Sequence, residues 1–226
     1  MKFCRFDLRT TNAVDATRAF YERILGHDRA TIWPLHEQAV ARGAKPHWLG
    51  RIGVDDVERT IAAFVERGAQ QLGSTRTMSD EGQSATLRDP GGALVAIGTP
   101  PSLDIEIGVV WHVLNTHDAA QATKNYVELF GWQLGEPIAA GEQGVFRSFS
   151  WQAGGANAGA IGDIAGRAGV HPQWLFFFEV ASLDDTIAFV RASSGLAFDP
   201  ITLPTGERIS VCEDPQGAAF ALRERS

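Results

Sequence analysis

The chain lacks most of what staples, tethers or charges a small protein. Only two of its 226 residues are cysteine, Cys4 and Cys212, too few for a disulfide framework. No run of about 18 apolar residues occurs, so no membrane-spanning helix is expected. The opening Met1-Lys2-Phe3-Cys4-Arg5 has no stretch suited to a signal peptide, and a cytoplasmic protein is expected. Basic residues are in deficit: 20 Lys and Arg against 27 Asp and Glu give a net charge of −7, which argues against a nucleic-acid groove. The six histidines show no His-x-His or His-x-x-x-His spacing, and no Gly-x-Ser-x-Gly or Cys-His-Asn arrangement supports a nucleophile. The glycine-rich Ala153–Gly159 is followed by no Lys-Ser/Thr, so it is no phosphate loop; a bulged or edge strand is expected there.

What is present is repetition. Arg88-Asp-Pro-Gly-Gly-Ala-Leu-Val-Ala-Ile97 returns as Glu213-Asp-Pro-Gln-Gly-Ala-Ala-Phe-Ala-Leu222, displaced by 125 residues. Trp48-Leu49 returns as Trp174-Leu175, and Thr60-Ile61-Ala62 as Thr186-Ile187-Ala188. Tyr21 and Gly26 match Tyr126 and Gly131 at a displacement of only 105, so the first half lacks about twenty residues between Gly26 and Trp48. Within each half a weaker repeat runs from a strand to a helix to further strands. It starts near Phe3, Trp48, Val110 and Trp174. The proline-marked Thr99-Pro100-Pro101-Ser102 divides the chain into domains 1–100 and 101–226.

Period assigns the elements. Val57, Ile61, Phe64 and Val65 form one apolar stripe, opened by Asp55 or Asp56 and stopped at Gly68. Leu183, Ile187 and Val190 form its counterpart, with a capping-box-like Ser182 and Asp185. Helices are also expected over Val14–Leu25 and Asp118–Phe130, the latter on Ala122, Tyr126 and Leu129. In the shortened segment one strand, 29–33, and one short helix, 35–42, use most of the residues available. In the first strand Cys4, Phe6 and Leu8 alternate with Arg5, Asp7 and Arg9, so the strand has one apolar and one charged face. Asp89-Pro-Gly-Gly and Asp214-Pro-Gln-Gly read as tight turns.

Strand, helix and further strands closed by Asp-Pro-x-Gly resemble the βαβββ module of the vicinal oxygen chelate superfamily. This superfamily includes glyoxalase I, extradiol dioxygenases and bleomycin-resistance proteins. The carrying segments are Trp111-His-Val-Leu-Asn-Thr-His-Asp118 with Tyr126 to Trp132, His171 to Val180, the two Asp-Pro turns, and Phe6 to Asn12 with Phe20-Tyr21. The resemblance implies an α+β fold of tandem paired βαβββ modules, with two cupped sheets, helices outside and the first module shortened. It also implies that the strand faces opposite the helices line cavities. These residues are Arg5, Asp7, Arg9, Leu49 and Arg51 in the first half, and Trp111, Val113, Asn115, Leu175, Phe177 and Glu179 in the second.

Metal-dependent members hold a divalent ion with His, Glu or Gln on the opening strands and Glu after each Asp-Pro turn. The matching positions here are Arg5, Leu49, Trp111, Leu175, Ala96 and Ala221, none of which offers a lone pair to a cation. The expectation is therefore a superfamily protein that binds a small organic molecule without metal or other cofactor. Trp111, Val113, Leu175 and Phe177 would form its walls and Asn115 and Glu179 its anchors. Arg5, Asp7 and Arg51 form a second candidate that suits an anion. A metal-dependent glyoxalase-like lyase, isomerase or dioxygenase is the alternative, and a drug-sequestering resistance protein a third. The sheet edge left by the missing strands predicts a homodimer. His112 reads as a core histidine and Cys212 as a small core hydrophobe.

Overall fold

The computed structural model describes residues 1–11, 13–78, 82–102, 106–140 and 144–225; Asn12 of the first module lies outside them. Strands and a few helices build two sheets. The first takes β1 (Phe3–Thr10), β2 (Thr31–Pro34), β3 (His47–Gly53), β4 (Gln70–Gln71), β5 (Arg76–Met78), β6 (Gly82–Arg88) and β7 (Leu94–Gly98). Its order is β2-β1-β3-β7-β6-β4, with β5 also on β6. The second takes β8 (Val109–Asn115), β9 (Gln133–Ala139), β10 (Val145–Ser150), β11 (Gly159–Gly162), β12 (Gln173–Val180), β13 (Leu196–Ala197), β14 (Ile201–Thr202), β15 (Arg208–Glu213) and β16 (Ala219–Glu224). Its order is β13-β15-β16-β12-β8-β11-β10-β9, with β14 on β15. By packing, the chain forms two compact units: Met1–Arg5, Gly50–Asp104 and His112–Trp174 make the first, and Phe6–Leu49, Ile105–Trp111 and Leu175–Ser226 the second.

The helices follow their caps. The α1 helix (Val14–Leu25) and α4 (Ala119–Phe130) end on Gly26 and Gly131, both left-handed with φ 73 and 72, a conformation open to glycine at little cost. Asp118 opens α4 by accepting from the Gln121 amide at 2.8 Å. Asp56 opens α3 (Val57–Glu66) and Ser182 opens α5 (Leu183–Ala192) in the same way. The shortened segment holds β2 and the short α2 (Glu37–Ala41). Two details depart from the periodic reading. Val65 is exposed (44%) while Val57, Ile61 and Phe64 are buried, because three residues at i, i+4 and i+7 already fill the α3 contact. In α4 the buried stripe is Ala122, Asn125, Tyr126 and Phe130, with Leu129 only half-buried. A third correction concerns Ala153–Gly159: the segment is a turn and loop that enters β11, and β11 lies between β8 and β10 rather than at an edge.

A hydrogen-bonded relay anchors each unit. In unit one the Trp174 indole N–H donates to the Tyr126 hydroxyl at 3.0 Å, and that hydroxyl donates to Asp89 Oδ2 at 3.1 Å. Asp89 Oδ1 accepts from the Ala93 amide at 2.8 Å and so closes its own Asp-Pro turn. In unit two Trp48 donates to Tyr21 at 3.0 Å and Tyr21 to Asp214 Oδ2 at 3.2 Å, while Asp214 Oδ1 accepts from Gln216 and Ala218 amides. One buried carboxylate thus ties a strand, a helix and a turn together. Burial pushes both tyrosine hydroxyls well above their usual range, and the adjacent carboxylate adds to the effect. Burial also raises both aspartates.

Around the first relay lies an aromatic core. Trp132 stacks on Phe149 at 4.6 Å and on Tyr126 at 5.0 Å, and Trp174 meets Tyr126 edge-on at 5.3 Å. In unit two Trp48, Tyr21, Phe178 and Phe220 do the same. The turn of Asp89 seats closely on β8: a Cβ on Gly91 would lie 2.2 Å from Thr116 Oγ1.

Candidate functional site

Alternation sorts the candidate residues by face, and the packing units divide them. In unit two, Leu8 and Thr10 of β1 are buried, and Thr10 Oγ1 lies 3.4 Å from Thr17 Oγ1 of α1. Asp7 and Arg9 therefore occupy the opposite face. In the parallel register with β2 they lie beside Thr31 and Trp33. Asp7 is 4% exposed and pairs with Arg9 at 3.6 Å, so a neighbour two residues along its own strand holds this carboxylate. Leu49, at the far end of the unit's β3 segment, is buried.

On the same unit's part of β12, Leu175 and Phe177 are buried and Glu179 is half-buried. Phe177 lies across from Ala221, which in turn faces Val211 of β15. Glu179 lies across from Arg223 and accepts from Arg225 Nε at 2.9 Å. Trp111 is half-buried.

Unit one holds the remaining candidates. Arg5 is half-buried and Arg51 is 4% exposed. Arg51 lies beside Ala96 in the β3–β7 register, and its stem runs over Gly98, whose missing side chain leaves the room: a Cβ there would be 3.0 Å from Arg51 Cδ. Val113 and Asn115 of β8 are buried and face away from His112 and Leu114. Beside them on the same face lie Ala160 and Gly162 of β11, then Ser148 and Phe146 of β10, then Ile138 of β9. The sequence does not single out the β10 and β11 residues, because Phe146 and Ser148 share one face and Arg147 and Phe149 the other, so no apolar alternation marks the strand.

The donor atoms do not suit a divalent ion. The resemblance would put an ion's ligands at Arg5, Leu49, Trp111, Leu175, Ala96 and Ala221, and the carbon, indole N–H and guanidinium groups of these side chains do not coordinate a cation. The carboxylates on the same faces, Asp7 and Glu179, are engaged by Arg9 and Arg225. Among the described residues no group of three or more His, Cys, Asp or Glu is placed to hold a metal. His112 lies on the aromatic face: it stacks on Phe3 at 5.2 Å and its Nδ1 donates to the Ala158 carbonyl at 2.8 Å. Burial lowers its pKa to about 4, so the ring is neutral near pH 7. Cys212 is fully buried and its thiol is pushed up to about 11 by desolvation, which leaves it inert. No helix among the described residues is long and apolar enough to cross a membrane.

Comparison with known proteins adds kinship. The chain is 30% identical over 205 residues to proteins named "Putative glyoxylase CFP32" from Mycobacterium bovis and Mycobacterium tuberculosis, covering 87% of this chain and 76% of theirs. Its fold is similar to the 2,3-dioxygenase LapB of Pseudomonas sp. KL28, with a TM-score of 0.63 and 12% identity over 100% of this chain and 92% of that one. It is also similar to a Mn(II)-bound glyoxalase of Novosphingobium aromaticivorans, with a TM-score of 0.62 and 12% identity over 99% and 81%. A 2,2',3-trihydroxybiphenyl 1,2-dioxygenase of Sphingomonas wittichii gives 0.65 and 12% over 99% and 90%. No family model matches the chain.

Proposed function

The chain belongs to the vicinal oxygen chelate superfamily, and on that premise we propose that it binds a small organic molecule on its sheet faces without the superfamily's divalent ion. One observation carries the reading. At the positions where the resemblance would put metal ligands stand Leu49, Leu175, Trp111, Ala96, Ala221 and Arg5, while Arg9 pairs with Asp7 and Arg225 with Glu179. Apolar walls with a few placed polar groups are what a small-molecule site requires. Each unit offers such a surface on its own: Val113 as wall and Asn115 as anchor in unit one, and Trp111, Leu175 and Phe177 as walls with Glu179 as anchor in unit two. In unit one Arg5 and Arg51 are charged candidates suited to an anion, and in unit two Asp7 is the matching charged candidate.

Metal analysis of protein purified without chelator tests the ion-free reading. The expected result is a substoichiometric trace, and stoichiometric nickel, zinc, iron or manganese overturns it. A thermal-shift screen of small aromatic and carboxylate compounds tests the surface. Hits should disappear in Trp111→Ala, and an unchanged hit list moves the site elsewhere. We also propose a cytoplasmic location, which the low cysteine content, two in 226 residues, supports. We further propose that a second copy covers β2, an edge strand with Trp33 39% exposed, followed by Val40 at 49%. Sedimentation that shows only monomer at micromolar concentration removes the dimer.

A further inference from the structure

We infer that the molecule bound at the β8–β11–β10 face of unit one carries a hydroxyl or N–H that donates to Asn115 Oδ1. The inference rests on the small-molecule reading above and adds the chemical group recognised. Asn115 is 5% exposed, and its Oδ1 is buried with no hydrogen-bond partner among the described residues. A buried amide oxygen left unpaired is costly, and native cores retain few of them. Strand alternation aims this oxygen onto the face of Val113, Ala160, Gly162, Phe146 and Ile138, where the surroundings are apolar.

The other polar side chain of that face is already committed: Ser148 Oγ donates to the Glu136 carbonyl at 2.8 Å. Gly162, directly across from Asn115, carries the Phe146 ring on its backbone, since a Cβ there would lie 2.4 Å from two ring carbons. A half-buried aromatic wall therefore adjoins a single aimed acceptor. That composition selects a compact ligand with an apolar, flat body and one donor group. It rejects ethers and carboxylates that would oppose oxygen to oxygen, because a site built to accept a hydrogen bond discriminates strongly against an analogue without the donor.

Phenol and anisole, which differ by the donor proton and a methyl group, are the probes. Their affinities are measured by ligand-observed NMR titration on the full chain. Wild type should bind phenol about tenfold tighter than anisole. Asn115→Leu should reduce phenol to the level of anisole while leaving anisole within about twofold. Ala160→Leu, which keeps Asn115 and fills the face, should weaken both probes; it carries the test of location if Asn115→Leu fails to fold. Equal binding of both probes by wild type, unchanged in Asn115→Leu, overturns the donor assignment and leaves the small-molecule reading standing. Binding of neither probe at millimolar concentration overturns both. A melting temperature of Asn115→Leu several degrees below wild type, with probe affinities unchanged, makes Asn115 a structural residue and also overturns the inference.

Discussion

Removal of one oxygen tests the architecture most sharply. Tyr126→Phe keeps the ring and therefore the stacking on Trp132 and the edge contact with Trp174, so no cavity opens. It deletes the acceptor of the Trp174 indole N–H and the donor to Asp89 Oδ2. Stranding a buried N–H costs roughly 1–3 kcal/mol, and a hydrogen bond to a charged group contributes about 1.5–3 kcal/mol. Asp89 retains its bond from the Ala93 amide, which limits the second loss. The two effects share one residue and are not additive, so the expected destabilisation is roughly 2–4 kcal/mol. For a chain of this size each kcal/mol lowers the melting temperature by about 2–4 °C, and a fall on the order of 5–15 °C should follow. Urea denaturation followed by tryptophan fluorescence at pH 7 measures the free energy. Tyr21→Phe should behave alike through Trp48 and Asp214. A loss below about 0.5 kcal/mol in both variants, the range of an ordinary surface substitution, would refute the claim that these relays anchor the units.

Three further outcomes follow from the same geometry. Burial raises Asp89 and Asp214 in the folded state, so the folded chain binds more protons than the unfolded chain between the ordinary and the raised carboxylate pKa. Through that window stability should rise as pH falls, relative to the Asp89→Asn/Asp214→Asn variant; a stability difference that is flat between pH 7 and 4, or of opposite slope, contradicts it. Gly91→Ala drives a methyl to 2.2 Å from Thr116 Oγ1, an overpacking that should cost about 1–3 kcal/mol in urea denaturation. Asp118→Ala removes the cap bond to the Gln121 amide and should cost about 1 kcal/mol, with an unchanged denaturation midpoint as the contrary result.

Much of the framework was legible because it rests on local rules. Gly26 and Gly131 mark helix ends, Asp118, Asp56 and Ser182 open helices, and Asp-Pro-x-Gly closes turns; each is readable within a few residues. The shortened first module could be read as one strand and one short helix from the residue count alone. Long-range partners could not be read. Nothing near Tyr126 points to Asp89, 37 residues away, nor near Tyr21 to Asp214, 193 residues away. Charge pairing was also hidden: three charges on one face of β1 leave open the partners of Asp7, one of which is Arg9 at 3.6 Å. The solvation of Val65 was missed because an apolar residue at i+8 fits the helical period whether or not a neighbour covers it.

The two faces of these strands answer to different constraints. On β12, Trp174, Phe176 and Phe178 belong to aromatic clusters, each within its own unit, and any change there opens a cavity or strands a buried polar group. The intervening Leu175, Phe177 and Glu179 point to the opposite face of the strand, where Arg225 holds Glu179. Chemistry can therefore be exchanged on one face while the other holds the architecture. A fold similar to that of dioxygenases and a glyoxalase at 12% identity fits that division, since the framework persists while most residues differ. It also gives the Asn115 inference its weight, because Asn115 Oδ1 is a buried acceptor with no hydrogen-bond partner among the described residues.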